Sequence, residues 1–323
     1  MNKLTVIVPV YNGEKTVHIC IDSLLNVTEP IDILVIDDGS TDKTVEVLSP
    51  YLDNHSNIRL LSKENEGIAA ARNYALDHIE TPYFAFLDSD DTVENDIYAK
   101  MLQKIEQESS NICFADFLWE YDDGTTRLGK DTGYKDRHEI LEKMYATLWN
   151  KVYRTSWVRA SGIRFPNGLV YEDASFLYRL ALSMEKVSYA EGLSVHYQQH
   201  VGSITHTFNL KINDMIQVFK GIYDYYKNNG AFEEYKDELE YLTIRFFLGS
   251  SYLRACRIND KKLRKETLEK GYDFLIGQFP EYRKNRYLKN GGKKNLYFSH
   301  TNRFIYMNSV PLFRLLYVMK ILK

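Results

Sequence analysis

Three aspartates lie within four positions directly after a run of apolar residues, in the stretch FLDSDD. Asp88, Asp90 and Asp91 would repel one another at the end of a buried strand unless a cation lay among them. Carboxylate oxygens suit Mg²⁺ or Mn²⁺, and such an ion can bridge protein carboxylates to a diphosphate. We therefore predict that Asp88 and Asp90 bind a metal. A turn followed by a helix N-cap is the alternative explanation of this spacing.

The elements that would position these carboxylates follow from hydrophobic spacing. Apolar runs alternate with helical patterns, which indicates a mostly parallel α/β sheet covered by helices on both faces. The polar sequences YNG, DDGSTD and DSDD follow three of the strands, at the edge where such sheets bind ligands. The predicted strands are Leu4 to Val10, Ile31 to Asp37, Asn57 to Ser62 and Pro82 to Asp88, and the predicted helices are Glu14 to Leu25, Thr41 to Tyr51, Gly67 to Ile79 and Asp96 to Gln107.

Composition excludes several classes of protein. The chain has 323 residues, 44% of them hydrophobic, which suffices for one large domain and an appendage. No GxxxxGK[ST] sequence occurs and no GxGxxG follows the first strand, so the usual ATP-binding and dinucleotide-binding fingerprints are missing. Three dispersed cysteines and a start without a signal-peptide pattern predict a cytoplasmic protein, and no apolar run predicts a membrane-spanning helix.

Charge is distributed unevenly along the chain. Residues 257–323 contain 16 Lys and Arg and 5 Asp and Glu, which gives a net charge of +11. Residues 1–256 contain 25 Lys and Arg and 39 Asp and Glu, which gives a net charge of −14. In YRKNRYLKNGGKKNLYF the cations alternate with aromatic residues, a pattern that suits nucleic acid or anionic lipid headgroups. The acidic body argues against nucleic acid.

Four motifs in a fixed order carry a resemblance to a known family: VIVPVYNGEKTVHICIDSLL, ILVIDDGSTDKT, NEGIAAARN and FLDSDD. Together they resemble the family 2 (GT2) glycosyltransferases, inverting enzymes with a GT-A fold that use nucleotide-activated sugars. The resemblance covers Met1 to Thr205 and implies that DSDD is the family's metal-binding DXD motif, with Mn²⁺ or Mg²⁺ as cofactor. It also implies a catalytic domain over residues 1–205, with a nucleotide-sugar half over 1–110 and an acceptor half over 111–205, followed by a helical, basic region over 206–323.

The resemblance assigns the donor side residue by residue. Pro9, Tyr11 and Asn12 end the first strand, where the family places the nucleoside, and Tyr11 offers a ring for stacking on a base. A rim aromatic packed on a helix is the alternative for Tyr11. Asp38 occupies the family position that accepts a hydrogen bond from uracil N3, whereas we interpret Asp42 as a capping or first-turn carboxylate of the following helix. The implied donor-binding residues are Pro9, Tyr11, Asn12, Asp38, Asn65, Gly67, Arg72, Asp88, Ser89 and His200.

Two segments would contact the diphosphate or the metal. In NEGIAAARN, Gly67 permits close backbone approach, and Arg72 is placed to reach the diphosphate or the aspartates. The segment VHYQQHVGSITHT resembles the one that closes over the donor diphosphate, although family members often carry Arg where this chain has Gln198 and His200. Neutral histidine can bind a metal, and histidines in loops often have no such role. The predicted metal ligands are Asp90, Asp88, His200 and His196.

The acceptor side is predicted from the second half of the resemblance. A family NK segment precedes an ED pair, which corresponds here to Glu172 and Asp173. Inverting transfer needs a general base that deprotonates the acceptor hydroxyl, and the resemblance implies that Asp173 is this base, with Glu172 orienting it or binding acceptor. Without the resemblance, Glu172 and Asp173 would also fit as acidic residues in the first turn of a helix from Ala174 to Met184.

Beyond Thr205 the resemblance fades. Aromatic and apolar residues at helical spacing predict a helical appendage, and its aromatic stripe is most simply core, although a dimer contact fits the same spacing. The final SVPLFRLLYVMKILK predicts a short helix capped by Ser309. Such a helix can lie in a membrane interface or dock on the appendage, and we take peripheral membrane attachment at the inner face as a hypothesis.

The motifs together predict an inverting, metal-dependent glycosyltransferase of bacterial polysaccharide synthesis. Its donor would be a UDP-sugar and its acceptor a hydroxyl of a glycan, lipid-linked glycan or glycoprotein. Three alternatives remain at this stage: a glycosyltransferase that uses a GDP- or dTDP-sugar, a nucleotide-sugar-binding module without catalysis, and a nucleotidyltransferase. The last should have a Gly-rich, basic loop after the first strand, and PVYNGEKT matches that poorly.

Overall fold

The computed structural model describes residues 2–199, 210–290 and 292–319. It divides the chain into two compact units, the first comprising Met1–Gly168 with Glu172–His200 and the second comprising Leu169–Tyr171 with Val201–Lys323. The predicted boundary after Thr205 lies outside the described residues.

Unit 1 is built on one sheet of nine strands among the described residues. The strand order is β3-β2-β1-β4-β8-β6-β9-β5, with β7 paired to β6 beside this path. The strands are β1 Leu4–Val10, β2 Ile31–Asp37, β3 Ile58–Ser62, β4 Tyr83–Phe86, β5 Thr92–Val93, β6 Ile112–Tyr121, β7 Thr126–Gly129, β8 Lys151–Arg154 and β9 Val187–Gln199.

The first four strands in this order run parallel, as predicted. All seven residues of β1 are buried, and β1 pairs in parallel with both β2 and β4, so that Leu4 lies opposite Ile31 and Tyr83. Their carboxyl ends therefore meet at one edge, which we call the rim. The sheet continues with antiparallel pairs of β8 with β4 and with β6, followed by a parallel pair of β6 and β9.

Helices cover the sheet of unit 1, and several begin or end a few residues from their predicted positions. The first helix begins at Val17 because the amides of Thr16 and Val17 donate to the carbonyl of Gly13 in a preceding turn. The helix predicted from Ala174 to Met184 begins at Glu172 instead and is followed by a 3₁₀ turn. The helices are α1 Val17–Leu25, α2 Thr44–Asn54, α3 Ile68–His78, α4 Ile97–Gln107, α5 Arg137–Lys143, α6 Thr155–Ser161 and α7 Glu172–Leu180.

Unit 2 is helical, as predicted, and its aromatic stripe forms its core. Tyr223, Tyr226 and Phe219 are buried, and Tyr223 stacks on Phe274 with 6.1 Å between ring centroids. No helix in the described ranges is both long and apolar enough to cross a bilayer. The α-helices of unit 2 are α8 Asp214–Asn228, α9 Lys236–Ile244, α10 Ser251–Cys256, α11 Lys261–Gln278, α12 Lys293–His300, α13 Arg303–Asn308 and α14 Val310–Val318.

Candidate active site

The loops after β1 and β2 are tied together at the rim. The amide of Asn12 donates to Ser40 Oγ at 2.9 Å, and the amide of Thr41 donates to Asn12 Oδ1 at 2.8 Å. Asn12 has a φ of 53°, a left-handed conformation that Asn tolerates better than most residues. Pro9 is held in buried strand β1, whereas Tyr11 is 52% exposed. The Tyr11 ring is therefore accessible for stacking on a base.

Asp38 is a buried carboxylate at the carboxyl end of β2. Its Oδ1 accepts hydrogen bonds from Lys63 Nζ at 2.9 Å and the Glu66 amide at 3.2 Å, and its Oδ2 accepts from the Gly67 amide at 2.7 Å. A carboxylate offers about four acceptor directions, so one remains for a ligand. Our sequence analysis missed Lys63, although its place directly after β3 puts it at the rim.

Close backbone approach positions the neighbouring donor-side residues. Gly39 has a φ of 72°, and a Cβ there would lie 2.8 Å from the amide nitrogen of Asn65. Gly67 has a φ of 92° and immediately precedes α3. Asp42 accepts from the Thr44 amide at 3.0 Å, although the N-cap position of α2 is the next residue, Lys43.

The DSDD loop follows β4 and turns back on itself. The amide of Asp91 donates to the carbonyl of Asp88 at 3.1 Å, and Asp88, Ser89 and Asp90 are half-buried. Asp91 is fully buried: its Oδ1 accepts from the Gln198 amide at 2.8 Å, while its Oδ2 has no hydrogen-bond partner in the described part of the chain. Burial, together with Asp88 and Asp90, raises the pKa of the Asp91 carboxyl well above its usual range.

The donor set of this loop fits a divalent cation by its chemistry. Three carboxylates lie within four positions and one buried oxygen is unpartnered, so a hard cation would offset their repulsion. The described residues themselves contain no group of three or more His, Cys, Asp or Glu side chains arranged to hold a metal. The predicted ligand His200 lies outside the described residues.

His196 has other partners than the predicted metal. Its Nδ1 lies 2.6 Å from Glu120 Oε1 and its Nε2 lies 2.8 Å from Glu94 Oε1, so both ring nitrogens are engaged by carboxylates. Burial alone would lower the pKa of His196, but the two glutamates raise it overall. That His196 binds the metal stays a prediction. Glu120 also accepts from Gln198 Nε2 at 2.5 Å, a contact for which the sequence offers no local signal.

Arg72 joins the DSDD loop to the predicted acidic pair. Its Nη2 donates to Asp88 Oδ1 at 3.0 Å, and its Nη1 donates to Glu172 Oε1 at 2.5 Å. We call Arg72, Asp88 and Glu172 the arginine cluster. Burial alone would lower the pKa of the Arg72 guanidinium, but Asp88, Glu172 and Asp173 raise it overall. The structure thus brings together residues that the sequence places in separate motifs.

Asp173 lies beside this cluster at the start of α7. Its Oδ1 accepts from the Ala174 amide at 2.7 Å, whereas Glu172 is ion-paired with Arg72. Burial, followed by the charge of Glu172, raises the pKa of Asp173 to about 7, against the opposing effect of Arg72. A carboxylate with a pKa near neutrality is matched to general-base catalysis at neutral pH.

The NK segment supplies a second buried cation, which is enclosed by other partners. Lys151 Nζ donates to Asp131 Oδ2 at 2.7 Å, to the Thr147 carbonyl at 2.8 Å and to Asn150 Oδ1 at 2.8 Å. We call Asp131, Thr147, Asn150 and Lys151 the lysine cluster. Burial lowers the pKa of the Lys151 ammonium, and Asp131 opposes this effect. Asp131 was not singled out from the sequence, because nothing near it marks it as a partner of Lys151.

Comparisons with known proteins show the family and the fold that this chain resembles. The family profile described as "Glycosyl transferase family 2" matches residues 5–165. The putative glycosyltransferase EpsH of Bacillus subtilis (strain 168) is 28% identical over 273 residues, which are 80% of this chain and 77% of EpsH. Some other matched relatives are longer proteins, of which the match spans about a third.

Two solved structures show the fold. S. aureus TarS 1-349 in complex with UDP-GlcNAc has a TM-score of 0.74 and 21% identity, and the match covers 98% of this chain and 92% of the TarS chain. The mannosyltransferase PcManGT from Pyrobaculum calidifontis, in complex with GDP-Man and Mn²⁺, has a TM-score of 0.53 and 14% identity, with 88% of each chain covered. The predicted GT-A architecture with a helical C-terminal region is thereby confirmed.

Proposed function

Because the chain belongs to glycosyl transferase family 2, we propose that it transfers a sugar from a UDP-sugar to a hydroxyl of a glycan or glycoconjugate, with inversion at the anomeric carbon. The observation that carries this proposal is the arginine cluster, in which one side chain contacts both the DSDD loop and the acidic pair. The UDP-GlcNAc bound to TarS supports a UDP-sugar donor, and relatives that include a teichoic acid polymerase support bacterial polysaccharide synthesis.

The same proposal includes a divalent metal, Mn²⁺ or Mg²⁺. Asp90 and Asp88 would hold it, with His200 and His196 as the other predicted ligands. When bound, such an ion supplies charge neutralisation to the diphosphate and so makes UDP a better leaving group. The Mn²⁺ in the PcManGT complex supports this part of the proposal.

Asp173 would act as the general base. Its carboxylate would take the proton from the acceptor hydroxyl while that oxygen attacks the anomeric carbon, and the bonding pair of the departing sugar–oxygen bond would leave with UDP. A single displacement of this kind inverts the anomeric configuration. Tyr11, Asp38 and Gly67 would hold the nucleoside at the rim, where the Gly67 amide donates to Asp38 and the Tyr11 ring is exposed.

Release of nucleotide from a panel of sugar donors tests the proposal without knowledge of the acceptor. UDP-, GDP- and dTDP-sugars are incubated with the enzyme in Mn²⁺ or in EDTA, and slow hydrolysis reports the donor. We expect release from a UDP-sugar that EDTA abolishes. Release from a GDP-sugar alone would favour the donor class that PcManGT binds, and UDP binding without release from any donor would indicate a binding module.

We also propose that unit 2 carries a peripheral membrane contact. Residues 282–323 contain ten Lys and Arg and no Asp or Glu, a composition complementary to anionic lipid headgroups. Helix α14 has one docked side, where Phe313 packs on Tyr252 and Arg314 donates to the carbonyl of Cys256. Three apolar residues of α14 are exposed, together with the residue that follows this helix and with apolar residues of α12 and α13. These exposed residues are Leu296, Phe304, Leu312, Leu315, Tyr317 and Met319.

Vesicle sedimentation tests this contact. Leu312→Asp with Leu315→Asp should weaken binding to vesicles that contain phosphatidylglycerol by at least about tenfold, because two exposed leucines that would enter the membrane interface are replaced by anions. Leu128→Asp is the matched control, since Leu128 is equally exposed but lies on β7 of unit 1. Unchanged binding of the double variant would exclude α14 from membrane attachment.

A further inference from the structure

Arg72 occupies an unusual place for a cation. It lies in the first turns of α3 amid buried alanines, and only 6% of it is exposed. Its guanidinium carbon lies 5.9 Å from the ring centroid of Phe86 and 5.7 Å from that of Phe165. Small neighbours and aromatic walls therefore confine the guanidinium to one position.

The two ion pairs of Arg72 join it to segments at very different distances along the chain. Asp88 is 16 positions away and follows β4, whereas Glu172 is 100 positions away and begins α7. Of its nitrogens, Nε is buried and has no hydrogen-bond partner in the described part of the chain. Because only the two Nη groups of Arg72 donate hydrogen bonds to these carboxylates, the loss of either carboxylate removes one of its two ion pairs.

The ion pairs of Arg72 distinguish the carboxylates of Asp88, Glu172 and Asp173. Glu172 is committed to Arg72 at 2.5 Å, and Asp88 shares one oxygen with it. Asp173 makes no ion pair within the described residues, and its carboxylate accepts a hydrogen bond from the Ala174 amide in the first turn of α7. Glu172 is thus a neighbour of the base rather than a second base.

We propose that Arg72 is a positioning residue that couples the donor side of the site to the acceptor side, by holding Asp88 and Glu172 through one buried guanidinium. This inference rests on the proposed function and adds a coupling that the function alone does not require. Glu172 then affects donor binding through Arg72, although it would not touch the donor.

Affinity for UDP in Mn²⁺ tests the coupling without any turnover. In the otherwise unchanged protein, Glu172→Gln should change the dissociation constant of UDP by at least about threefold, because Arg72 then pairs with Asp88 alone. In an Arg72→Met background the same substitution should have an effect below about 1.5-fold. Equal effects of Glu172→Gln in both backgrounds would overturn the proposal.

The pH profile of UDP release gives a second readout that a purely structural role would not produce. Asp173 works as a carboxylate, so the rate falls as the pH drops through its pKa. Arg72→Met removes a positive charge and should move this acid limb to higher pH by about one unit, whereas Glu172→Gln should move it to lower pH. The other charged groups that act on Asp173 are Asp88 and Lys151, and both variants leave them in place.

Control experiments distinguish failure of the coupling through Arg72 from failure of the proposed sugar transfer. Arg59→Met alters an exposed arginine of β3 that pairs with Glu80, and it should change neither affinity nor pH profile. Arg72→Lys keeps the positive charge but loses the two Nη donors of the guanidinium. The pH at which UDP release falls should therefore match that of the parent protein, whereas Glu172→Gln should no longer change UDP affinity. If the parent protein binds UDP but releases none from any donor, the proposed transfer fails, and the affinity cycle still decides the role of Arg72.

Discussion

The arginine cluster and the lysine cluster are two buried cation sites of the same unit with different surroundings. Arg72 is 6% exposed and Lys151 is fully buried, so burial removes most of the hydration of both charges, which is unfavourable. Lys151 is enclosed by one carboxylate and by carbonyl and amide oxygens, and burial lowers its pKa. Arg72 faces three carboxylates, and their charges raise its pKa in spite of burial.

The difference indicates what each site is for. The lysine cluster satisfies its cation with groups from neighbouring segments and leaves no excess charge, which is typical of a structural pair. The arginine cluster and Asp173 together carry three carboxylates against one cation, and the DSDD loop adds more negative charge. Such an excess costs stability and is retained where a ligand or a proton uses it.

The largest effect is expected at the lysine cluster. Lys151→Met should lower the free energy of unfolding by about 3–5 kcal/mol, because it leaves the buried charge of Asp131 uncompensated. Urea unfolding followed by circular dichroism measures the change. Adding Asp131→Asn should recover part of the loss, since the unpaired charge is then absent. An unchanged unfolding midpoint in Lys151→Met would remove the structural interpretation of this cluster.

A variant in the DSDD loop should weaken ligand binding without lowering stability, the opposite of the lysine cluster. Asp90→Asn is expected to weaken Mn²⁺-dependent UDP binding by about 100-fold while leaving the unfolding midpoint unchanged or raised, because it removes a repelling charge. Calorimetric titration of UDP in Mn²⁺ and in EDTA measures the effect. Asp96→Asn, an exposed carboxylate paired with Lys100 a few residues later, serves as the control. Binding that is equally strong in EDTA would argue against the metal.

The pH dependence of UDP release sharpens the comparison further. Because the pKa of Asp173 is raised to about 7 and its carboxylate is the active form, the rate should fall by about tenfold per pH unit below that value. Rates measured from pH 5 to pH 9 with saturating donor give the profile. A rate that stays constant down to pH 5 would mean that Asp173 does not carry the proton.

The smallest effect is expected at the open edge of the site. Tyr11→Ala should weaken UDP binding by about 1 kcal/mol, near the low end for base stacking, because the ring is 52% exposed. Tyr11→Phe keeps the ring and should bind like the parent protein. Equal losses in both variants would show that the hydroxyl group, rather than the ring, contacts the nucleotide.

Local sequence predicted which residues lie at the rim, but not the contact that joins Arg72 to Glu172. The parallel strands and the loops that follow them are continuous segments, so the rim positions of Asp38 and Asp88 could be read directly. The contact between Arg72 and Glu172 joins residues 100 positions apart, and no local pattern encodes that pairing. Lys63 was missed for a different reason, since a lysine after a strand usually stays in solvent.

The most direct test of the central claim compares the parent protein with Asp173→Asn in two assays. One measures UDP affinity in Mn²⁺, and the other measures hydrolytic release of UDP from the preferred UDP-sugar. We predict that UDP affinity is retained and that release falls by about 10²–10⁴-fold, the usual contribution of a general base. Release at the parental rate would contradict the assignment of Asp173 and, with it, the proposed mechanism of transfer.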